Sequence, residues 1–315
     1  MMTFQDSLTK DYEDMLSLKE ALGFARVTYA WYIPDFIKYC GENYPESDVV
    51  TKEMVIHWLD SYDFISPNTR TRALINIRTF TKYLAATGKQ SYVVDDEFSI
   101  STVPYIPVIM KDEELKQFFA GVDITTKSSN LPLKGYILPV LFRMIFCCGL
   151  RPAEPLKMRC EDVNLSTGDV YIRQSKRRAD RHILMSDDML NLCRRYELVA
   201  GSREWFFQRA DGKPFNTKWL GHQFEQCYRN SGLKLPKAPN SYSLRHCFAT
   251  YTMMNWIDGG KDIMALLPYL SAYMGHTDIK HTLYYVHLLP ERLRKSAGID
   301  WDKLDSVYGE AEDYE

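Results

Sequence analysis

The chain has 315 residues, of which 45% are hydrophobic and 25% are charged, as in a globular protein with room for two domains. Its longest apolar run is interrupted by Pro139 and Arg143, and the N-terminal "MMTFQDSLTKDYEDM" is polar and acidic. We therefore expect no membrane span and no secretion or transit signal. Seven cysteines without a C-x-x-C pair favour reduced thiols in a cytoplasmic protein.

The net charge of −2 conceals an uneven distribution of charge along the chain. Residues 1–100 carry 10 basic and 15 acidic side chains, residues 101–300 carry 28 and 20, and the last fifteen carry 1 and 6. A basic middle between acidic ends is compatible with a polyanion-binding surface. A chance fluctuation of charge is the alternative.

Residues 1–90 are predicted to be helical. Thr51 is a plausible N-cap, and "SPNTRTRALINIRTFTKYLAATG" has Ser66 as a cap, Pro67 at the first helical position and Gly88 as the stop. The apolar stripe of this second helix consists of Leu74, Ile77, Thr81 and Leu84. Four basic residues lie off the stripe, on a face that either contacts phosphates or is merely solvated: Arg70, Arg72, Arg78 and Lys82.

The second half of the chain is predicted to follow an extended linker, "SYVVDDEFSISTVPYIPVIM". The segment "LKGYILPVLFRMIFCCG" is apolar on nearly all sides, which is typical of a helix at the centre of a core. "GDVYIRQ" and "RHILMS" are predicted strands on either side of the charged turn "SKRRAD", and residues 215–296 are predicted to be helical.

The segment "CGLRPAEPLKMRCEDVN" is the first of four that suggest chemistry. Gly149 is predicted to end the central helix in a left-handed conformation, and Pro152 to begin the next helix. Arg151 then lies at the junction, where Glu154 can hold its guanidinium group. A surface ion pair of little energetic value is the alternative.

The other three segments are "SKRRADR", "YSLRHCFAT" and "MGHTDIKHTLYYVH". The last one raises the question of a metal site, since it contains three histidines. His276 and His281 are five residues apart, which suits a shared helical face poorly, and neither cysteine nor carboxylate completes a ligand set. We therefore expect no metal and no cofactor.

Together and in this order, the four segments resemble the boxes of the tyrosine recombinases, also called the phage integrase family. The resemblance implies a mainly α fold with three parts. These are an N-terminal helical, SAM-like core-binding domain (residues 1–100), a mostly helical catalytic domain with a small antiparallel β-sheet (101–296), and a C-terminal tail that docks on a neighbouring subunit (297–315).

The resemblance also implies a role for each matching residue. Tyr285 would attack a DNA phosphate and form a 3′-phosphotyrosine link, while Arg151 and Arg245 clamp the phosphate oxygens. Lys176 would protonate the leaving 5′-oxygen, and His276 would hydrogen-bond the phosphate. Glu154, Arg181 and His246 would support them, and Arg177 and Arg178 in the turn are further candidates for DNA contacts.

Two positions need separate attention. Tyr242 stands where the family has a histidine, three residues before the second arginine, which leaves the identity of the general base open. Helical periodicity places Ile279, Leu283 and Val286 on a buried stripe, with Tyr284 and Tyr285 both off it. The count of nine residues from His276 and the "YVH" ending favour Tyr285 as the nucleophile.

The function expected from the resemblance is site-specific DNA recombination or integration for a mobile element, by a two-domain enzyme. Its partners would be double-stranded DNA with specific sites and other copies of the chain, as a tetramer on DNA and away from membranes. It would act in the cytoplasm of a bacterium, encoded there or by a phage or mobile element. The alternatives are DNA relaxation of the type IB topoisomerase kind and a DNA-binding relative that has lost the reaction.

Overall fold

The protein divides into two compact units, Met1–Tyr105 and Ile106–Glu315, in a computed structural model. The structure describes residues 2–95, 106–127, 133–173 and 180–287. The middle of the predicted linker, the hairpin turn with Lys176, Arg177 and Arg178, and the C-terminal tail at 297–315 all lie outside the described residues. The predictions for them remain predictions.

The N-terminal unit is a helical bundle. Its helices are α1 (Phe4–Ala21), α2 (Tyr32–Asn43), α3 (Lys52–Asp60) and α4 (Pro67–Ala86), with a 3₁₀ turn at Arg26–Tyr29. Large apolar side chains from all four helices form one core, among them Met15, Ile33, Phe36, Trp58 and Phe80. Helices of this kind are stable because each buries one apolar face against the others.

The predicted signals at the ends of α3 and α4 are confirmed. The Thr51 hydroxyl accepts a hydrogen bond from the Met54 amide at 3.3 Å, and the Ser66 hydroxyl accepts one from the Thr69 amide at 3.2 Å. Pro67 opens α4, and Gly88 follows its end with φ +82°. The four residues of the predicted stripe are buried.

The second unit contains seven helices among its described residues. They are α5 (Asp112–Lys127), α6 (Lys134–Cys147), α7 (Asp187–Ala200), α8 (Thr217–Asn230), α9 (Ser241–Asp258), α10 (Ile263–Met274) and α11 (Lys280–His287). Helix α6 packs against α5, α7 and α9, and the Phe142 ring on it meets Phe118 and Phe224. The prediction that α6 lies at the centre of this core is confirmed.

A two-stranded antiparallel sheet joins these helices. Strands β1 (Asp169–Ile172) and β2 (Arg181–Leu184) pair with Ile172 opposite Arg181, as the predicted hairpin requires. The mainly α fold with a small antiparallel sheet is therefore confirmed. Across the described part of the chain, none of the helices combines the length and the apolar character needed to cross a membrane.

The junction after α6 confirms one prediction and corrects another. Gly149 has φ +59°, the left-handed conformation expected at the helix end. Pro152 does not begin a helix, since residues 152–154 form a turn in which the Glu154 amide donates to the Arg151 carbonyl at 2.8 Å. Pro155 has no amide hydrogen for that carbonyl, so an α-helix cannot start there, and only a 3₁₀ turn follows at Pro155–Lys157.

Candidate active site

Three arginines from distant parts of the second unit meet beside the ends of α6 and α10. Arg151 follows α6, Arg181 is the first residue of β2, and Arg245 lies in the second turn of α9. Arg245 is 1% exposed, and the side chains of Arg151 and Arg181 are 14% and 8% exposed. Cationic side chains are rarely buried to this extent unless they are paired.

Backbone carbonyls hold these arginines in place. Arg245 donates from Nη1 to the Gly149 carbonyl at 2.7 Å and from Nη2 to the Met274 carbonyl at 2.9 Å. Arg151 Nη2 donates to the Gly275 carbonyl at 2.6 Å, and Arg181 Nε donates to the Tyr273 carbonyl at 2.8 Å. Carbonyls at a helix C-terminus lack intrahelical partners and carry partial negative charge, so they suit cations.

The Glu154 carboxylate joins two of the three arginines. It accepts bonds from Arg181 Nη1 at 2.9 Å and Nη2 at 2.8 Å, from Arg151 Nη1 at 3.0 Å, and from the Arg151 amide at 2.8 Å. Burial alone would raise the pKa of Glu154, but the hydrogen bonds and charge of Arg181, aided by Arg151 and Arg245, lower it. The expected Arg151–Glu154 pair is thus a buried network and not a surface ion pair.

The charges in this cluster do not balance. Within the described ranges, Glu154 is the one carboxylate that forms an ion pair with this cluster, and it pairs with Arg151 and Arg181 but not with Arg245, so the cluster carries two positive charges in excess. Uncompensated buried charge is costly. A cluster of this kind is therefore suited to bind an anion whose oxygens accept the guanidinium hydrogens that remain.

His276 connects the arginines to α11. Gly275 ends α10 with φ +69°, and the His276 ring that follows lies with Nε2 2.9 Å from Arg245 Nη2 and Nδ1 2.7 Å from the Thr282 hydroxyl. Arginine can only donate, so Nε2 accepts and Nδ1 carries the hydrogen. Burial and the neighbouring Arg245 and Arg151 charges lower the pKa of His276 to about 2, which keeps the imidazole neutral.

Tyr285 lies between two histidines, His246 and His276. Its oxygen is 3.0 Å from His246 Nδ1, and its ring stacks on that of His276 with centroids 6.2 Å apart. Burial raises the pKa of Tyr285 to about 12, although the Arg245 charge opposes this rise. Tyr284 is half-buried and meets the Tyr285 ring edge-on.

The buried stripe predicted for α11 needs correction. Leu283 and Val286 are buried as expected, but Ile279 is 40% exposed because it precedes the helix, which begins at Lys280. Tyr285 was expected to lie off the buried face, yet it is 3% exposed and belongs to an apolar cluster with side chains of α9 and α10. The nucleophile candidate is therefore enclosed by apolar groups on one side and by His246 on the other.

Two residues near the phenol have contacts that the spacing of residues in the sequence does not predict. His246 was expected only to support the site, but it is within hydrogen-bond distance of the Tyr285 hydroxyl. Thr282, which is fully buried, orients His276 and was not singled out. Tyr242 is 39% exposed, and its ring centroid is 5.4 Å from that of His246.

The candidate DNA contacts on α4 belong to the N-terminal unit. Arg72 and Lys82 are exposed and Arg70 is half-buried. Arg78 donates to the carbonyls of Val94 and Asp95 at 3.1 and 2.6 Å, so it holds the segment that follows α4. No group of three or more histidine, cysteine or acidic residues that suits a metal ion occurs among the residues whose structure is described.

Comparison with known proteins identifies the family. The model of the Phage integrase family matches residues 109–292. A putative integrase/recombinase, y4rE of Sinorhizobium fredii, is 26% identical over 294 residues, with 91% of this chain and 93% of that protein covered. Tyrosine recombinase XerC of Halalkalibacterium halodurans is 24% identical over 72% of this chain and 73% of its own length.

Solved structures share the fold. The XerH site-specific recombinase, in a post-cleavage complex with a palindromic difH substrate, matches with a TM-score of 0.66 and 21% identity, over 88% of this chain and 80% of that one. A lambda integrase tetramer bound to a Holliday junction matches with a TM-score of 0.63 and 15% identity, over 88% and 78%. Since the family model spans more than half of the sequence and includes every residue of the arginine cluster, the chain belongs to the phage integrase family, the tyrosine recombinases.

Proposed function

We propose that the protein cleaves and rejoins DNA at specific sites, with Tyr285 as the nucleophile. The observation that supports this proposal is the buried cluster with two excess positive charges beside the Tyr285 phenol, because such a cluster is suited to an anion. A DNA phosphate supplies the anion. The Tyr285 oxygen attacks phosphorus and forms a phosphotyrosine ester, which conserves the energy of the phosphodiester bond.

Each charged group of the cluster has a part in this reaction. Arg151 and Arg245 each have N–H groups beyond those used for the helix-end carbonyls, and these would hold the non-bridging phosphate oxygens. Because the carbonyls fix both guanidinium groups before substrate arrives, little reorganisation is needed as charge builds up on phosphorus. His276 would change tautomer when DNA binds, so that Nδ1 accepts from the Thr282 hydroxyl and Nε2 gives up Arg245 and donates to the phosphate. Lys176 would protonate the leaving 5′-oxygen.

The two units and the tail would divide the remaining tasks. The N-terminal unit acts as the core-binding domain, with Arg70, Arg72 and Lys82 on DNA phosphates, while Arg177 and Arg178 contact DNA near Lys176. Four copies act together on two duplexes, and residues 297–315 dock on the neighbouring copy. The DNA-bound complexes of XerH and of the lambda integrase tetramer support this assembly by analogy.

Covalent capture tests the proposal. The probe is a set of duplexes tiled across the DNA that flanks the gene, each with one nick, so that a short 5′-hydroxyl fragment diffuses away after cleavage. Wild-type protein should give a covalent protein–DNA adduct that survives denaturation. A tryptic digest should show the DNA strand attached to the peptide that contains Tyr285. Tyr285→Phe should abolish the adduct, and the matched control Tyr284→Phe should retain it. Absence of any adduct with intact wild-type protein, or an adduct formed by Tyr285→Phe, would contradict the proposal.

A further inference from the structure

The contact between His246 and Tyr285 raises the question of where the phenolic proton goes. His246 lies on α9 and Tyr285 on α11, 39 residues later, and both are buried, at 9% and 3% exposure. The distance of 3.0 Å from Nδ1 to the hydroxyl oxygen is that of a hydrogen bond. Little solvent reaches the phenol, so its proton has to leave through a neighbouring side chain.

The chemistry of the neighbours gives this hydrogen bond its direction. The Arg245 guanidinium lies close enough to the Tyr285 oxygen to lower its pKa by charge and by hydrogen bonding, and arginine can only donate. The lone pairs of the oxygen therefore face the Arg245 charge, and we infer that its own hydrogen points away from this charge, to His246 Nδ1. Burial and the Arg245 charge lower the pKa of His246 to about 4, so its imidazole is neutral and able to accept.

The other neighbours are less suitable as acceptors. Nε2 of His276 already accepts from Arg245, and its Nδ1 hydrogen is directed to Thr282. Tyr242 occupies the position where the family has a histidine, but a phenol is a poorer proton acceptor than a neutral imidazole. It is also 39% exposed, and its ring lies beside His246.

We propose that His246 is a catalytic residue, the general base that takes the proton from Tyr285 during cleavage. This inference rests on the proposed function. In the step, the O–H bond of Tyr285 breaks and its proton moves to His246 Nδ1, while an oxygen electron pair forms the new P–O bond. The P–O5′ bond breaks, and the leaving oxygen keeps that pair and takes a proton from Lys176. When a 5′-hydroxyl later attacks, Lys176 recovers its proton and His246 returns one to the Tyr285 oxygen.

The rate of adduct formation as a function of pH tests the proposal. The probe is a duplex that the wild-type protein captures, synthesised again with sulfur in place of the 5′-oxygen at the scissile phosphate. The sulfur leaves without a proton, so the protonation state of Lys176 no longer affects the rate. With His246 as the base, the wild-type rate should be flat between pH 6 and 8. His246→Asn should lower the rate at pH 7 on the order of 100-fold and make it rise about tenfold per pH unit.

Other charged and titratable groups face this pair, so controls are needed. Arg245 and Tyr242 come from α9, Tyr284 from α11, His276 from the turn after α10, and Arg151 from the junction after α6. The arginines stay charged over this range, so they cannot produce a slope. Tyr242→Phe should keep the flat profile, and so should His222→Asn, a change at an exposed histidine on α8.

A more acidic nucleophile provides a second test. Replacement of Tyr285 by 3,5-difluorotyrosine should restore the His246→Asn rate at least tenfold, because the phenol then needs less help to lose its proton. Three results would each overturn the proposal. They are a wild-type rate of adduct formation that rises with pH, an unchanged rate in His246→Asn, and a rate that rises with pH in Tyr242→Phe but not in His246→Asn. The wild-type profile decides the matter even when His246→Asn does not fold. Absence of any wild-type adduct would instead refute the proposed function.

Discussion

Replacement of Glu154 by glutamine should weaken the second unit far more than a change of one atom suggests. The carboxylate accepts four hydrogen bonds, two from Arg181 and two from Arg151. In Glu154→Gln, an amide nitrogen that can only donate replaces one of the two oxygens, so two of the four donors lose their acceptor. Breaking one partner of a buried ion pair costs about 3–5 kcal/mol. For a unit of this size, that corresponds to a fall in melting temperature of about 10 °C.

The assay is urea or thermal unfolding followed by circular dichroism at pH 7. The matched control is Glu113→Gln, since Glu113 and Lys116 form an ion pair at the same i, i+3 spacing but on the surface, where 83% and 72% of the side chains are exposed. The control should show no measurable change, because solvent screens such pairs.

The effect should also depend on pH in a defined direction. The pKa of Glu154 is lowered below its ordinary value of 4.5, so its contribution is complete above that value and is lost as the pH falls through the folded-state pKa. The difference between Glu154→Gln and the wild type should therefore shrink in acid. An unfolding midpoint equal to that of the wild type at pH 7 would refute the reasoning.

Three further predictions concern other parts of the molecule. Gly149→Ala should cost more stability than Gly88→Ala: both glycines have positive φ, but a Cβ on Gly149 would lie 2.3 Å from the Phe248 ring, whereas Gly88 faces open space. The excess should be about 1–3 kcal/mol in paired unfolding curves, and equal losses would contradict it. The free energy of unfolding should fall as the pH is lowered from 6.5 to 4, by up to about 2.7 kcal/mol per pH unit. Both His246 and His276 have lowered pKa values in the folded state, so over this range they take up protons only when the chain unfolds. A flat stability profile there would show that neither ring is buried neutral. Affinity for the captured duplex should fall linearly on a plot of log affinity against log salt concentration, as fluorescence anisotropy would show, and salt-insensitive binding would argue against phosphate contacts.

Local rules were sufficient for much of the fold. The caps at Thr51 and Ser66, the left-handed Gly149 and the hairpin strands depend on residues a few positions apart, so spacing in the sequence predicts them well. The helix predicted from Pro152 does not form because Pro155 lacks the amide hydrogen that its first turn requires, and Ile279 is exposed because α11 begins only at Lys280.

The remaining features depend on long-range packing that spacing does not specify. The contact between His246 and Tyr285 joins two helices whose mutual orientation is set by the surrounding core. The burial of Tyr285 has the same origin, since α9 and α10 cover a face of α11 that periodicity alone left exposed. Arg78 is a similar case, because its acceptors at Val94 and Asp95 lie 16 and 17 residues further along the chain.

The three arginines donate to backbone carbonyls near helix ends, and this affects which residues around the pocket can be substituted. A backbone carbonyl is present whatever the side chain, so the residues at 273 and 274 can be replaced without loss of the acceptors, provided that α10 still ends at the same place. Gly275 is the exception, since a Cβ there would lie 2.9 Å from Arg181 Nη1. The arginines therefore constrain the length of α10 and one glycine, whereas the side chains of Tyr273 and Met274 are constrained by their own packing, against Phe248 and in the buried core.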